Sequence, residues 1–240
     1  MNNCFIKPCT DGDLEKVKEL LATFYDPEFN DSESFKLACQ EGHLDIAKLL
    51  FEDGRINPLA QDNYAVKLTA YYGHLDIIKF LLTIDGVNVA EQNNYAFRNS
   101  CQNGHLEVAK YLLTLDEVDP TDLNNEAIRQ SVPHLDVVKF LLTISEVDPS
   151  ANNNEAIKAA SSLYHQLVID ELLKDKRVIE KLNKDKDILD LVKKYPIPYI
   201  LSDIEIPYPS EPLLFLYERR KNKFSELTTE EQTLFRLKFC

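Results

Sequence analysis

The sequence is poor in the residues on which catalysis, metal binding and membrane insertion usually depend. Among its 240 residues are five histidines, six glycines, one methionine and no tryptophan. No apolar run reaches the roughly 18 residues that a membrane-spanning helix needs. The first residues form neither a basic segment nor a long apolar one, as a secretory signal would. We therefore expect no membrane association and no export signal.

Positive charge and paired cysteines are also scarce. The 27 Lys and Arg residues face 40 Asp and Glu residues, which gives a formal net charge of −13. A nucleic-acid-binding protein needs a basic surface, so we expect no nucleic-acid partner. The five cysteines are dispersed and form no Cys-x-x-Cys pair, which indicates reduced thiols in the cytoplasm and no zinc site. They are Cys4, Cys9, Cys39, Cys101 and Cys240.

A repeated segment is the main feature of the chain. Gly42-His43-Leu44-Asp45-Ile46-Ala47-Lys48 recurs with the same pattern from Gly73, Gly104 and Pro133, and in degraded form from Tyr164. Successive copies lie 31, 31, 29 and 31 residues apart. A partial copy, Gly12-Asp13-Leu14-Glu15, begins 30 residues before the first. Such a period indicates an array of repeated structural units.

The repeat accounts for the few residues that catalysis would need. All five histidines occupy one repeat position, and four of the six glycines occupy the position before it. No histidine is left for a general base or an additional metal site, and no glycine-rich phosphate loop is present. We therefore expect no enzymatic activity, no catalytic residues, no cofactor and no metal.

Each period predicts two short helices. The first begins after an asparagine, the residue type that often caps a helix N-terminus, at positions 63, 94, 125 and 154. A glycine such as Gly73 then supplies the left-handed residue that ends a helix. The second helix is predicted over about residues 75–82, where apolar residues recur at helical spacing.

Two helices and a glycine turn at this period resemble the ankyrin repeat family, since Gly-His-Leu-Asp/Glu followed by Leu-Leu is its second-helix signature. The resemblance implies an all-α, ankyrin-type helical repeat solenoid over residues 1–183, in about five repeats after an N-terminal capping half-repeat. The family's Thr-Pro-Leu-His-x-Ala segment is replaced here, for example by Tyr64-Ala65-Val66-Lys67-Leu68-Thr69. This divergent pattern is similar to ankyrin repeats of giant viruses, amoebae and amoeba-associated bacteria.

The fourth repeat departs from the pattern between residues 127 and 133. It is two residues shorter than the others there, and Pro133 replaces the glycine. Proline cannot adopt the positive φ of a helix-ending glycine. We expect a short first helix and altered stacking at this point.

The last part of the chain, residues 184–240, lacks the repeat and is predicted to be a helical segment with an irregular, proline-rich stretch at 196–212. One interpretation is a cap that covers the end of the array, with a sealing helix at 184–194. The other is a tail that docks a second protein, for example ubiquitin-ligase machinery, although no convincing match to such a motif is present.

The ankyrin resemblance implies a protein-binding function through the concave face and the turn tips. The two residues before each glycine usually face that groove, and tyrosines there suit an interface. Tyr64 and Tyr95 either extend an aromatic strip or simply occupy a helix-start position. The acidic array favours a partner with a basic or apolar-aromatic surface. The candidate partner-binding residues are Tyr71, Tyr72, Gln40, Glu41, Gln102, Asn103, Tyr64 and Tyr95.

Two further registers have competing interpretations. A row of cations replaces the family's histidine, at Lys36, Lys67, Arg98, Arg129 and Lys158. It is either a basic stripe for an acidic partner or, as we favour, a set of stems between repeats whose charged ends meet acidic neighbours and loop carbonyls. A second register holds Cys9, Cys39 and Cys101 where the family has alanine, which predicts small buried side chains without reactivity.

Overall fold

The computed structural model describes residues 4–23, 29–163 and 165–185, except for the side chains of residues 29–31. Most of the sealing helix expected at 184–194 lies outside the described residues. The proline-rich stretch at 196–212 and the tail on which the second-protein hypothesis rests lie outside them entirely.

The described residues form thirteen α-helices and no strand, in agreement with the all-α prediction. The chain divides into two compact units, Met1–Val147 and Asp148–Cys240. The first unit contains α1 (Ile6–Asp11), α2 (Leu14–Leu21), α3 (Phe29–Gln40), α4 (Leu44–Asp53), α5 (Ala60–Tyr72), α6 (Leu75–Leu81), α7 (Glu91–Gln102), α8 (Leu106–Leu112), α9 (Asp122–Gln130) and α10 (Leu135–Leu142). The second contains α11 (Ala151–Ser162), α12 (Gln166–Leu172) and α13 (Lys176–Leu182).

The helices of the first unit stack in two rows. In what we call the A row, α1, α3, α5, α7 and α9 each pack against the next. In the B row, α2, α4, α6, α8 and α10 do the same, and each B helix packs on its own A helix. This is the nearest-neighbour stacking of a helical repeat solenoid. In the second unit, α11 packs against α12 and α13.

The core lies between the two rows. Phe35 and Phe97 are fully buried on A helices, as are Ile46, Ile78 and Leu112 on B helices. Each such side chain contributes about 2 kcal/mol when removed from water. No single pair of helices encloses this core, so each repeat depends on its neighbours for burial.

Three consecutive residues near the start of most A helices are left-handed, a conformation that the sequence pattern did not predict. Residues 92–94 have φ between 52° and 59° and ψ between 40° and 55°. The same turn precedes the right-handed parts of α5, α9 and α11, at residues 61–63, 123–125 and 152–154. Asparagine tolerates this region better than other non-glycine residues, and its last two positions are Asn-Asn in three of the four turns.

The asparagine that ends each turn was expected to cap its own helix, and at Asn94 this expectation is wrong. Asn94 is 4% exposed, and its Oδ1 accepts a 3.1 Å hydrogen bond from the backbone N–H of Asp119. Its Nδ2 donates to a carboxylate oxygen of Asp122. The side chain therefore joins the start of α7 to the connection that leads into α9.

The Gly-His pair connects successive repeats, with each histidine acting on the repeat before its own. The His105 ring packs against Gly73, where an added Cβ would lie 2.4 Å from His105 Nδ1. Nε2 of the same ring lies 2.8 Å from the carbonyl oxygen of Tyr71, near the end of α5. His74 repeats this contact with Gln40 and His43 with Thr10, at 2.7 and 3.0 Å. These bonds occupy carbonyls that the ends of helices leave without an intrahelical partner.

The connection between α9 and α10 differs from the others. The backbone N–H of His134 donates to the carbonyl of Ser131, three residues back. The equivalent bond of His105 reaches Ser100, five residues back. The right-handed part of α9 spans only residues 126–130, whereas that of α7 spans residues 95–102. The missing two residues thus shorten both the A helix and the turn that follows it.

Candidate functional site

The candidate site lies on one face of the A row. On α5 the residues Tyr64, Lys67 and Tyr71 are spaced i, i+3 and i+7, so they share a face of the helix. The equivalent positions are Glu33, Lys36 and Gln40 on α3, and Tyr95, Arg98 and Gln102 on α7. Because α3, α5 and α7 stack in order, these nine residues form a grid. We call this grid the A-row face, together with the residue that follows it in each repeat, namely Glu41, Tyr72 and Asn103.

Tyr71 and Tyr72 are the most prominent aromatic residues of this region. They are 43% and 44% exposed, and their rings meet edge to face with centroids 5.0 Å apart. An alternative interpretation was that one of them packs over its own helix. In the structure the two rings instead contact each other, and both residues remain more than two-fifths exposed. Together with Tyr64, which is 40% exposed, they place three exposed tyrosines on α5.

The polar candidates flank this tyrosine pair at the C-terminal ends of the neighbouring A helices. Glu41 is exposed and accepts a 2.8 Å hydrogen bond from Nε2 of the half-buried Gln40. Gln102 is exposed, whereas Asn103 is half-buried and donates to the carbonyl of Asn99. Asn103 is therefore partly engaged in ending its own helix.

The histidines of the repeat hold the backbone of this face in place. Two of the candidate residues, Gln40 and Tyr71, have their carbonyl oxygens bonded by the histidine of the next repeat, His74 and His105. The scarce histidines are therefore positioning residues for the candidate surface. This link follows from stacking and is not evident in the spacing of the sequence.

Tyr64 and Tyr95 take part in cation–π contacts on the A-row face. Lys36 Nζ lies 5.8 Å from the Tyr64 ring centroid, and the Arg98 guanidinium lies 5.7 Å from that of Tyr95. Tyr64 is exposed and Tyr95 is half-buried. Such contacts stabilise by about 0.5–1 kcal/mol at exposed sites and also fix the rings.

The cation register mostly meets neighbouring acids and loop carbonyls, as the favoured interpretation predicts. Lys36 pairs with Glu33 at 2.7 Å, and Arg98 pairs with Glu126 of the next repeat. Arg98 Nε also donates to the carbonyl of Asn93 at 2.7 Å, and Arg129 donates to that of Asn124 at 3.1 Å. These arginines therefore donate hydrogen bonds to carbonyl groups of the left-handed turns.

Each left-handed turn begins at the last residue of a predicted turn tip, the tips being 59–61, 90–92, 121–123 and 150–152. Gln61, Gln92, Leu123 and Asn152 begin these turns and are all exposed. Leu123 is 46% exposed, which is high for a large apolar residue. The conformation presents the first side chain of each turn to solvent while the third is buried. The signal for this arrangement was the recurrent Asn-Asn pair.

The cysteine register has no nucleophilic character. Cys9, Cys39 and Cys101 are fully buried, in agreement with the expectation of small core side chains. Burial raises the pKa of Cys9 and of Cys101 to about 12, and it raises the pKa of Cys39 as well. Thiols in this state are protonated at neutral pH and react poorly.

The residues that the structure describes offer no metal site and no membrane-spanning helix. Within residues 4–23, 29–163 and 165–185, no group of three or more His, Cys, Asp or Glu residues is arranged to hold a metal ion. None of the described helices combines the length and the apolar character needed to cross a bilayer. Three of the large apolar or aromatic side chains that are exposed in the described structure, Tyr64, Tyr71 and Tyr72, lie together on α5.

The sequence matches the model of a known protein family. A family model described as ankyrin repeats, three copies, matches residues 35–124 and, in an overlapping second match, residues 64–155. Together these matches span about half of the 240 residues. No curated protein matches the sequence.

Proposed function

This chain belongs to the ankyrin repeat family, whose repeats are generally protein–protein interaction modules, and from that premise we propose that it binds a protein partner through the A-row face. The observation that carries the proposal is the exposed, mutually packed pair Tyr71 and Tyr72 on α5. Tyrosine brings a large contact area at a small cost in rotamer entropy, which makes it a frequent interface anchor.

The surroundings of the pair support an interface. Tyr64 lies on the same helix, and the C-terminal ends of the two neighbouring A helices carry Gln40 with Glu41 and Gln102 with Asn103. Polar groups around a central aromatic anchor are the usual anatomy of a protein interface. The backbone of this face is held by the histidine bonds, so little ordering is needed on binding.

The charge of the chain defines the character of the partner. At −13 the protein attracts basic surfaces during encounter, and the tyrosines suit apolar or aromatic groups at the centre. We propose a partner with a basic or apolar-aromatic surface. The proposed compartment is the cytoplasm, which accords with the free thiols of Cys4, Cys9, Cys39 and Cys101.

Site-specific photocrosslinking tests this proposal. A benzophenone amino acid is placed at position 72, on the A-row face, or at position 111, on the B-row helix α8, of the full chain in its own cell extract. We expect protein adducts from position 72 that disappear when Tyr71 is changed to Ala, and none of these adducts from position 111. Equal adducts from both positions, or adducts that persist in Tyr71→Ala, would contradict the proposal.

A further inference from the structure

One cation of the A-row face lacks the partners that its neighbours have. Lys36 is paired with Glu33, and Arg98 is paired with Glu126. Lys67, which lies between them in the stack, makes no ion pair and no hydrogen bond within the described part of the chain. The difference follows from the residues that lie three positions before the cations, in the same helix or in the next repeat. Glutamates accompany the outer cations, but tyrosines occupy the equivalent positions around Lys67.

The side chain of Lys67 is nevertheless nearly buried. It is 6% exposed, which is similar to the 4% of the paired Lys36. Its Nζ atom is not sealed from water, so the ammonium group still reaches solvent. A lysine held in a nearly buried position without a counter-charge would gain from an incoming anion.

Tyrosines surround this position along the helix and across the stack. Tyr64 and Tyr71 lie one turn before and one turn after Lys67 on the same face of α5, and both are exposed. In the next repeat, Tyr95 occupies the register of Tyr64. Such rings exclude water from a bound group and so strengthen a charge-assisted hydrogen bond to the ammonium.

We propose that Lys67, with Tyr64 and Tyr71, is a binding point for one carboxylate side chain of the protein partner. This proposal rests on the function proposed above and specifies its centre. The partner's surface is basic or aromatic around this point and presents a single Asp or Glu to Lys67. Pairing one acid with one cation fixes the register of the complex, which is the usual contribution of charge at an interface.

A peptide library on the full-length chain tests the proposal without knowledge of the natural partner. Random dodecapeptides displayed on phage are selected against the wild-type protein, and the affinities of the selected peptides are then measured. We expect an Asp or Glu at one constant position, next to aromatic or apolar residues. Lys67→Met should weaken these peptides about tenfold or more, as for loss of a charged hydrogen bond, and Lys67→Arg should restore most of the binding.

Two matched controls show whether the effect belongs to the carboxylate. Lys158→Met changes a cation of the same register that lies on α11, outside the A-row face, and it should leave the affinities unchanged. Replacing the peptide's acid by its amide should weaken binding to the wild type and have no effect on binding to Lys67→Met. The proposal is overturned when the peptides share no acid, when Lys67→Met binds as tightly as the wild type, or when the amide peptide still distinguishes the two proteins.

A third variant separates this proposal from the function on which it rests. If Tyr71→Ala weakens the peptides but Lys67→Met does not, the carboxylate site is wrong and the interface stands. If neither change matters, both are wrong. Loss of fold is checked by melting, where Lys67→Met should be at least as stable as the wild type because an unpaired cation has been removed. Should Lys67→Met unfold, the amide peptide and Lys67→Arg decide the outcome.

Discussion

Replacing Gly73 with alanine should disrupt the contact between two repeats, and Gly54 provides a matched control. Both glycines have positive φ, at 85° and 77°. An added Cβ at Gly73 would lie 2.4 Å from Nδ1 of His105, whereas at Gly54 nothing lies within 4 Å. The two substitutions therefore share the backbone strain and differ only in the contact with the next repeat.

The expected magnitudes follow from these distances. Alanine in the left-handed region costs about 1–2 kcal/mol at either position. At Gly73 the His105 ring must also move, which breaks its 2.8 Å bond to the Tyr71 carbonyl. That loss adds about 1 kcal/mol, and more if the carbonyl stays unpaired. We expect Gly73→Ala to lower the free energy of unfolding by about 2–4 kcal/mol and Gly54→Ala by about 1–2 kcal/mol.

Urea denaturation followed by circular dichroism measures both variants, and a double-mutant cycle isolates the contact. In a His105→Ala background the new methyl group has room, so Gly73→Ala should cost no more than Gly54→Ala does in the wild type. The coupling energy between positions 73 and 105 should be about 1 kcal/mol or more. Equal costs for the two glycines, or an unchanged cost in the His105→Ala background, would refute the assigned role of the histidine.

Three further predictions concern the turns and a buried acid. Asn94→Ala should lower the free energy of unfolding, measured by urea denaturation, by about 2–4 kcal/mol, since it removes two hydrogen bonds of a nearly buried side chain and adds strain. Asn94→Gly should lower it by about 1 kcal/mol less, and equal losses for the two variants would argue against the left-handed turn. Arg98→Met should lower the same free energy of unfolding by about 1–2 kcal/mol through loss of its hydrogen bonds to turn carbonyls, and an unchanged value would contradict that role. Burial raises the pKa of Asp170 to about 6, against the opposing effects of Gln166 and Lys174. Since the folded-state pKa exceeds the unfolded value of 3.8, this contribution to stability is complete below pH 3.8 and lost as pH rises through about 6. Asp170→Asn should therefore stabilise the protein by about 1–2 kcal/mol at pH 7.5 and little near pH 4, and the same gain at both values would contradict the assignment.

Much of the repeat architecture could be predicted because it depends on local and periodic signals. The second helix of the repeat was expected over about 75–82 and lies at Leu75–Leu81. The left-handed turns were not predicted, because asparagine suits both a helix cap and a left-handed residue. Only the partner of each side chain separates these alternatives, and Asn94 finds that partner in Asp119, 25 residues along the chain.

The sequence by itself determined the period, the two helices of each repeat and the places of the scarce histidines and glycines. Periodicity and turn chemistry are properties of neighbouring residues, so they are readable without coordinates. Only the tertiary structure decided which charges are paired across repeats. Arg98 meets Glu126 of the next repeat, whereas the equivalent neighbour of Lys67 is Tyr95, and Lys67 meets no carboxylate among the described residues. The Arg98–Glu126 pair depends on stacking, which brings together side chains that lie 28 residues apart in the chain.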